Sequence, residues 1–399
     1  MVSPGKLTRP AWSALLVLCF FGVLLIVQAP VSVNYDENGD ISISKSGRNR
    51  LVSYQTIQLP NASVRRVFTS KVDPPNPSEQ QILLLTLTND LSSWGRMEVY
   101  YHRNWTFTDY IARIRKQNLP PGQISLGLLT TSEEAFDEYT SDIMALKEPM
   151  PWTSAEIIYI PELPLPADHV DVNADDKPDK TLKHQWHHRR YLARLRNYLT
   201  SITLKSYHRH IVWLDPDVWQ IPEGLFNRFV KIGNIFPDTD ITPMVRAGLP
   251  ASTPGKEIKA LPPGLITLRS ENFDNDDYDR NSWNGYGKRP SSWELNQILK
   301  KDRKFPGMEN WAKSILQLLG GTTNQDLVKL DSVGASALYI RAELVREGLI
   351  FPPYPAVGTE WDKSGKDGVE TEGLCYVAQR MGWGCYALGG RWHTKHSDS

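Results

Sequence analysis

The sequence predicts an α/β fold in which parallel strands alternate with helices. Short apolar runs bounded by turn residues have the length of buried strands, and they occur at residues 82–87, 124–129, 157–160 and 211–214. Segments of helical character lie between them, at residues 109–116, 132–144 and 185–204. This alternation is typical of β-α-β units, whose strands share one sheet. Ligands of such sheets bind beyond the carboxyl ends of the strands.

The N-terminus predicts a transmembrane signal anchor. Lys6 and Arg9 precede an uncharged apolar stretch at residues 11–29, close to the ~20 residues that cross a bilayer. Because no basic residue follows closely, we expect residues 1–10 in the cytosol and the remainder in a lumen. Cleavage after the stretch, as in a secreted protein, is the alternative, and Pro30 disfavours it. The polar, turn-rich residues 30–80 predict a lumenal stem, and residues 81–399 the catalytic body.

Composition narrows the functional classes. The 399 residues carry 45 basic and 45 acidic side chains and no formal net charge, so nucleic acid is not an expected partner. Two glycosylation sequons, at Asn61 and Asn104, agree with a lumenal body. Of the three cysteines, Cys19 lies in the apolar stretch. Cys375 and Cys385 form either one disulfide or two unpaired thiols, and the sequence leaves both open.

The strand at residues 211–214 runs directly into Asp215-Pro216-Asp217. Two carboxylates one residue apart supply hard oxygen ligands, which suit Mn²⁺ or Mg²⁺ and, through the ion, a diphosphate. We therefore predict the DxD metal site of a nucleotide-sugar glycosyltransferase. A solvated turn is the structural alternative. An aspartyl-phosphatase site is disfavoured, because Trp219 stands where such a site has Thr or Val.

The helix before this strand has two distinct faces. An apolar stripe repeats at spacings of three and four, through Leu192, Leu195, Leu199 and Ile202. A second face carries Arg190, Arg194 and Asn197. Guanidinium groups bind phosphate well, so this face suits a diphosphate held nearby. A solvated basic face is the alternative.

The C-terminal part predicts fewer regular elements. Strands are expected at residues 240–245, 333–340 and 385–388, and helices at 342–347 and 370–381. Residues 250–329 predict a long irregular stretch with an acidic run, suited to an acceptor loop or a lid. His393 follows Trp392 near the C-terminus, where the chain could fold back to the metal.

Taken together, these segments resemble the fungal Golgi mannosyltransferases of glycosyltransferase family 62, the subunits of mannan polymerase complexes. The resemblance covers about residues 82–393 and rests on motifs that occur in one order. They are Ile-Ser-Leu-Gly-Leu-Leu at 124–129, Ala-Arg-Leu-Arg-Asn-Tyr-Leu at 193–199, Trp-Leu-Asp-Pro-Asp at 213–217, Tyr-Asp-Arg-Asn-Ser-Trp at 278–283, Val-Gly at 333–334, Arg-Ala-Glu at 341–343, residues 348–353, Glu-Thr-Glu-Gly at 370–373 and Trp-His at 392–393.

The resemblance implies a GT-A type fold, a Rossmann-like nucleotide-sugar-binding mixed sheet flanked by helices. It also implies GDP-mannose as donor, Mn²⁺ (or Mg²⁺) as cofactor, retention of configuration and an N-glycan mannose acceptor. The same resemblance implies a location in the Golgi and a hetero-oligomeric complex with related mannosyltransferases. By position, Asp215 would face the nucleotide sugar, and Asp217, Asp279 and His393 would hold the metal. Arg194, Arg196 and Asn197 would support the nucleotide, and Glu370 and Glu372 would lie near the sugar or acceptor.

Two departures from the family pattern motivate an alternative function. Thr131-Ser132 stands where the family has Ser-Asp, and Pro243-Met244 where it has Pro-Asn. A non-catalytic or weakly active scaffold subunit of a Golgi complex is therefore the second hypothesis. A membrane-anchored glycosidase is the third, and it would need Asp217 and Glu370 as opposed carboxylates.

Overall fold

The computed structural model describes residues 51–70, 81–95, 104–119, 123–152, 154–161, 182–247, 260–272, 275–279, 281–285, 312–357 and 367–397. The strands in these ranges are β1 Val52–Gln58, β2 Val64–Ser70, β3 Ile82–Thr88, β4 Ile124–Thr130, β5 Ser154–Tyr159, β6 His210–Leu214, β7 Val218–Gln220, β8 Val245–Ala247, β9 Pro263–Thr267, β10 Arg269–Glu271, β11 Trp283–Asn284, β12 Lys313–Ser314, β13 Leu327–Lys329, β14 Ala337–Arg341, β15 Gly384–Leu388 and β16 His393–His396. The α-helices are α1 Phe107–Arg115, α2 Glu133–Ala145, α3 Leu182–Thr203, α4 Leu225–Gly233, α5 Ile315–Leu319, α6 Ala342–Arg346 and α7 Thr371–Arg380, and short 3-10 helices cover Leu91–Trp94 and Thr242–Met244.

One large mixed sheet forms the centre of the molecule. In the described ranges it has eleven strands, in the order β1-β2-β5-β4-β3-β6-β14-β9-β15-β13-β8. The strands β5, β4, β3 and β6 run parallel, which confirms the predicted β-α-β units. β14 lies antiparallel between β6 and β9, so the sheet is mixed. The chain is thus a mixed α/β protein with helices on both faces of the sheet.

Apolar runs form the central strands because both faces of the sheet are covered. Along β6, Val212 and Leu214 pack into the core beneath α1, α2 and α4. Ile211 and Trp213 point the other way, into the core beneath α3, α5, α6 and α7. Successive side chains of a strand alternate between faces, so a strand buried on both must be continuously apolar. Its carboxyl end is then the first place where polar side chains can follow.

The predicted helices are confirmed with shifts of a few residues at their ends. α1, α2, α3, α6 and α7 correspond to the helices expected from periodicity and caps. The Ser132 hydroxyl accepts a hydrogen bond from the N–H of Ala135 at 3.1 Å and so caps α2. Ser132 therefore has a structural role where the resembling family carries Asp.

The folded body extends into the predicted stem. β1 and β2 form an antiparallel hairpin, and β2 pairs with β5 at the edge of the central sheet. Val52 and Phe68 are buried in the core. The prediction of a stem over residues 30–80 is therefore wrong for residues 51–70. An edge strand buries only one face, so its other side chains stay polar and its composition resembles a linker.

The predicted irregular stretch at residues 250–329 contains a central strand. β9 lies between β14 and β15, and all its residues are buried. Its first two residues, Pro263 and Gly264, are turn formers, which hid it in the sequence. Proline is tolerated as the first residue of a strand. A Cβ on Gly264 would lie 2.7 Å from Cβ of Trp383, so the close approach of the tryptophan requires the glycine.

Two other predicted strands begin later than expected. In place of a strand at residues 240–245, Thr242–Met244 is a 3-10 helix and β8 starts at Val245. Pro243 lies in the first turn of that helix, where its missing N–H is harmless. The strand expected at 333–340 begins at Ala337, because residues 333–336 form a loop.

The proposed membrane anchor at residues 11–29 and the cytosolic tail at residues 1–10 lie outside the described residues. In the described ranges, no helix is both long enough and apolar enough to cross a bilayer.

Near the C-terminus, a disulfide joins Cys375 of α7 to Cys385 of β15, with the two Cα atoms 5.7 Å apart. The bridge fastens the last helix to the central sheet.

Candidate active site at the end of strand β6

The two aspartates of the Asp-x-Asp motif lie in a tight loop after β6. The N–H of Asp215 donates to the carbonyl of Ser336 at 3.0 Å, and the N–H of Val218 donates to the carbonyl of Asp215 at 3.3 Å. The first contact ties the loop to the segment before β14, and the second closes it as a turn. Both carboxylates are partly exposed, Asp215 by 30% and Asp217 by 19% of the side chain.

His396 completes a cluster of three potential metal ligands. One ligand atom from each of Asp215, Asp217 and His396 lies within 4.8 Å of the others. His396 ends β16, the middle strand of a small sheet in the order β10-β16-β7. In this sheet it pairs with Val218, the residue directly after Asp217. Strand pairing thus brings a C-terminal histidine to the motif.

The structure places His396, and not His393, beside the aspartates. Both histidines belong to β16, but strand residues three apart point to opposite faces. His393 lies on the more exposed face, where its Nε2 atom is 3.9 Å from Oε2 of Glu271. Along β16 buried side chains alternate with more exposed ones, and Thr394 and His396 occupy the buried positions. This alternation is the signal that could have identified His396.

The hydrogen bonds of His396 prepare its Nε2 atom for a cation. Nδ1 lies 2.7 Å from the carbonyl of Ser397, and a carbonyl only accepts, so Nδ1 carries the proton. Nε2 lies 2.8 Å from Oδ1 of Asp217. In the neutral imidazole the Nε2 lone pair would face the carboxylate directly. The pair therefore requires a proton or a metal ion between the two atoms.

The aromatic ring of Tyr278 covers the imidazole of His396. The ring centroids are 3.5 Å apart and the planes differ by 16°. The N–H of Tyr278 donates to the carbonyl of Ser270 on β10 at 2.8 Å, which holds the tyrosine over β16. The stacked ring restricts the orientation of the histidine.

Negative charge and burial shift two pKa values in the cluster. The pKa of Asp215 is raised to about 7: burial is the largest cause, the charges of Asp217 and Asp279 act in the same direction, and the charges of Arg196 and His396 oppose them. Burial disfavours the charged form of His396, but its hydrogen bond to Asp217 and the charges of both aspartates prevail, so its pKa is raised. The cluster thus holds protons tightly, as expected where a divalent cation would compete with them.

Arg196 joins Asp215 to Glu370. Its Nη1 donates to Oε1 of Glu370 at 2.6 Å, and its Nη2 lies 3.5 Å from Oδ1 of Asp215. The guanidinium is buried beside the rings of Trp213 and Phe351, 5.5 and 5.4 Å from their centroids. Arg196 thus contacts two of the predicted site residues, Asp215 and Glu370.

Glu370 has an unusual backbone conformation. Its φ is 60° and its ψ is −131°, at the position that caps the start of α7. Its N–H donates to the carbonyl of Pro352 at 2.8 Å, and its side chain is buried against Arg196. Positive φ is strained for a residue with a Cβ and is commonest at functional sites. The ion pair and the backbone bond together hold Glu370 in place.

The remaining predicted residues of α3 and α7 make structural contacts. Glu372 is buried, accepts from the N–H of Gly368 at 3.2 Å and lies 3.7 Å from Arg189. Asn197 exchanges two hydrogen bonds with the backbone of Phe351, at 2.7 and 2.8 Å. Arg194 is half-buried and, within the described ranges, forms no ion pair with Asp215, Asp217 or either glutamate.

Asp279 organises the loop before β14. Its Oδ2 accepts from the N–H groups of Ala335 and Ser336 at 2.8 and 3.3 Å, and its Oδ1 from the N–H of Asn281 at 3.1 Å. A Cβ on Gly334 would lie 1.9 Å from Oδ2, so the glycine makes this approach feasible. Asp279 is not one of the three clustered ligands, but its charge acts on Asp215.

Sequence reasoning missed Arg113, which supports the motif from α1. Its Nη1 donates to the carbonyl of Val218 at 2.6 Å and its Nη2 to that of Pro216 at 3.4 Å. The side chain is buried, and burial lowers its pKa to about 10. An arginine among the apolar residues of α1, beside Tyr110 and Ile114, was the available signal.

The sequence was compared with those of known proteins. The family model described as Anp1 matches residues 66–355, a range that includes both aspartates and ends before Glu370 and His396. The chain is 25% identical over 205 residues to mannan polymerase complex subunit mnn9 of Schizosaccharomyces pombe, covering 49% of each protein. It is 25% identical over 206 residues to the mannan polymerase II complex ANP1 subunit of Saccharomyces cerevisiae, covering 50% of this chain and 34% of the relative. It is 23% identical over 211 residues to the vanadate resistance protein of Candida albicans, covering 51% and 39%.

The chain therefore spans half or less of the length of these relatives. The names of the first two relatives and the family match confirm the resemblance to fungal mannan polymerase subunits that the motifs indicated. Because the family model covers more than half of its residues, the chain belongs to the Anp1 family.

Proposed function

We propose that the protein is a metal-dependent, retaining α-mannosyltransferase that transfers mannose from GDP-mannose to α-mannoside acceptors of N-glycan outer chains. The observation that carries the proposal is the cluster of Asp215, Asp217 and His396 at the carboxyl end of β6. The names of the relatives, which are mannan polymerase subunits, support mannose as the transferred sugar. The parallel strands β5-β4-β3-β6 that lead to the cluster support a GT-A type fold.

The donor set fits a divalent cation. Carboxylate oxygens suit Mn²⁺ and Mg²⁺, whereas an imidazole nitrogen is a poor ligand for Mg²⁺. The mixed set of Asp215, Asp217 and His396 therefore favours Mn²⁺. The contact between Nε2 of His396 and Oδ1 of Asp217 is compatible with this proposal, because a metal ion could take the place of the proton that the two atoms otherwise share.

The protein's own contribution is to fix these ligands before the donor arrives. When bound, the cation would offset the charge that develops on the departing nucleoside diphosphate. Arg113 donates a hydrogen bond to the backbone of the loop that contains Asp217. Arg196 pairs with both Asp215 and Glu370 and so keeps them close together. We place Glu370 near the sugar or acceptor by its contact with Arg196, which also pairs with Asp215.

We propose a single-pass type II protein of the Golgi membrane with a lumenal body. The charge pattern around residues 11–29 supports the orientation. The disulfide is typical of an oxidising compartment. Both sequon asparagines, Asn61 and Asn104, are exposed, as glycosylation requires. The names of the relatives support a hetero-oligomeric complex with related mannosyltransferases.

The test uses a soluble body that begins before Leu51, so that the β1-β2 hairpin is kept. This protein and its Asp217→Asn variant are incubated with GDP-mannose, Mn²⁺ and α-mannobiose. We expect a mannosylated product from the wild type alone, because the variant keeps the shape of the side chain but loses its charge. Linkage analysis of the product then defines the bond formed.

The same assay separates an enzyme from a scaffold subunit. Mn²⁺-dependent binding of GDP without product would indicate an enzyme that needs its partner or another acceptor. Absence of both product and Mn²⁺-dependent GDP binding would reject the enzyme and favour a scaffold.

A further inference from the structure

A cavity lies at the N-terminal end of β6, the end opposite to the Asp-x-Asp loop. Its volume is about 490 Å³ and its walls include Arg209, His210, Asn234, Phe236, Arg341 and Arg346. His210 begins β6 and pairs with Arg341 at the end of β14. Five residues separate His210 from Asp215, which at about 3.3 Å per residue places the two sites ~16 Å apart. The cavity is therefore distinct from the metal cluster.

Three guanidinium groups surround this cavity, and two of them are fixed. Arg341 donates to the carbonyl of Ile235 at 3.0 Å and pairs with Glu343 at 3.1 Å. Arg346 donates to the carbonyls of Lys205, Ser206 and His208, at 2.8, 3.3 and 2.6 Å. Arg209 is exposed. Among the described residues of the walls, Glu343 is the one carboxylate, so their positive charge is in excess.

A buried ring nitrogen among the lining residues lacks a partner. His210 is 1% exposed, its Nδ1 lies 2.9 Å from the hydroxyl of Tyr339, and its Nε2 has no hydrogen-bond partner among the residues that the structure describes. Its pKa is lowered to about 4, chiefly by burial and also by the charges of Arg341 and Arg209, so the ring is neutral. When the Tyr339 hydroxyl donates to Nδ1, the proton lies on Nε2. A buried N–H without a partner is rare in native proteins and favours an anionic ligand.

We propose that this cavity binds the phosphate group of a small molecule that also carries a ring. Guanidinium forks match the oxygens of phosphate, and two of the three are already held in position. Phe236 stands on the rim with 73% of its surface exposed. Its ring offers an apolar face for a sugar or a base attached to the phosphate. A hexose phosphate and a nucleoside monophosphate share this chemistry.

The proposal is tested by calorimetric titration of the full-length chain in the presence of EDTA, which keeps the metal cluster empty. The ligands are inorganic phosphate, a hexose phosphate and GMP. We expect saturable binding with a Kd below about 1 mM. Arg209→Glu should weaken binding of all three at least about tenfold, because the reversed charge faces the phosphate. Arg209 is exposed, so this substitution leaves the fold intact.

Lys231→Glu is the matched control, since Lys231 is an exposed cation of α4 that does not line the cavity. It should leave binding unchanged. Phe236→Ala should weaken the hexose phosphate or GMP but not inorganic phosphate. Absence of saturable binding to the wild type, or equal weakening by Arg209→Glu and Lys231→Glu, would overturn the phosphate site. Equal affinity for inorganic phosphate and both ring-bearing ligands would overturn the role of Phe236.

Discussion

The Nε2 atom of His396 lies 2.8 Å from Oδ1 of Asp217, although the two residues are far apart in the sequence. The contact depends on the pairing of β16 with β7 and on which face of β16 the histidine occupies. It turns an Asp-x-Asp motif, which many solvated turns share, into a three-ligand cluster.

Replacing His396 should weaken binding of Mn²⁺, whereas replacing His393 should not. We expect His396→Ala to lower the affinity at least about tenfold, because a ligand is lost and Asp217 loses its orienting partner. His393→Ala is the matched control on the same strand. The measurement is the electron paramagnetic resonance signal of free Mn²⁺, which needs no catalytic activity. Equal losses in the two variants would contradict the assignment.

Affinity for Mn²⁺ should rise with pH around neutrality. The pKa of Asp215 is raised to about 7, so below that value the carboxyl is protonated and is a poor ligand. As pH rises through 7 the proton leaves and the cation binds more tightly. The raised pKa of His396 acts in the same direction. In Asp215→Asn this part of the pH dependence should disappear, and an unchanged profile in the variant would argue against it.

Breaking the buried ion pair of Arg196 and Glu370 should destabilise the fold. Arg196→Met leaves Glu370 buried without its partner, and such losses amount to roughly 3–5 kcal/mol in the free energy of unfolding. Arg196→Met combined with Glu370→Gln should recover much of that loss, because no unpaired charge remains. The check is a double-mutant cycle by chemical denaturation. Additive effects of the two substitutions would show that the pair is not coupled.

A methyl group at Gly334 should disturb the loop that Asp279 holds. Its Cβ would lie 1.9 Å from Oδ2 of Asp279, so Gly334→Ala should destabilise the protein by about 1–3 kcal/mol, as overpacking usually does. Gly320→Ala is the control, since the nearest atom to its Cβ is 3.8 Å away. Thermal unfolding of both variants measures the difference. A Gly334→Ala protein as stable as the control would rule out this packing role.

Removing residues 51–70 should make the body prone to aggregation. The deletion exposes the edge of β5 and removes the buried side chains of Val52 and Phe68. It also removes Arg65, which pairs with Glu156 of β5 at 2.7 Å. Light scattering is measured on two proteins, one that begins before Leu51 and one that begins at Gln81. Equal solubility would show that the hairpin is dispensable.

The sequence by itself determined the features that depend on local pattern. The apolar run of β6, the carboxylates that follow it and the periodic helix α3 with Arg196 are all encoded within a few residues of each other. Burial on both faces makes such strands continuously apolar, and a helix repeats every 3.6 residues, so both patterns can be recognised along the chain. The parallel part of the fold and the position of the Asp-x-Asp loop were therefore predictable.

Only the tertiary structure decided which distant residues meet at that loop. His396 reaches Asp217 because β16 pairs with β7, and Glu370 reaches Asp215 through Arg196. The strand β9 and the β1-β2 hairpin likewise became visible only through their partners, since their own residues resemble turns and a linker. Strand register and helix packing are set by contacts between segments far apart in the chain. A one-residue change in register would turn His396 away, and the local sequence does not encode that register.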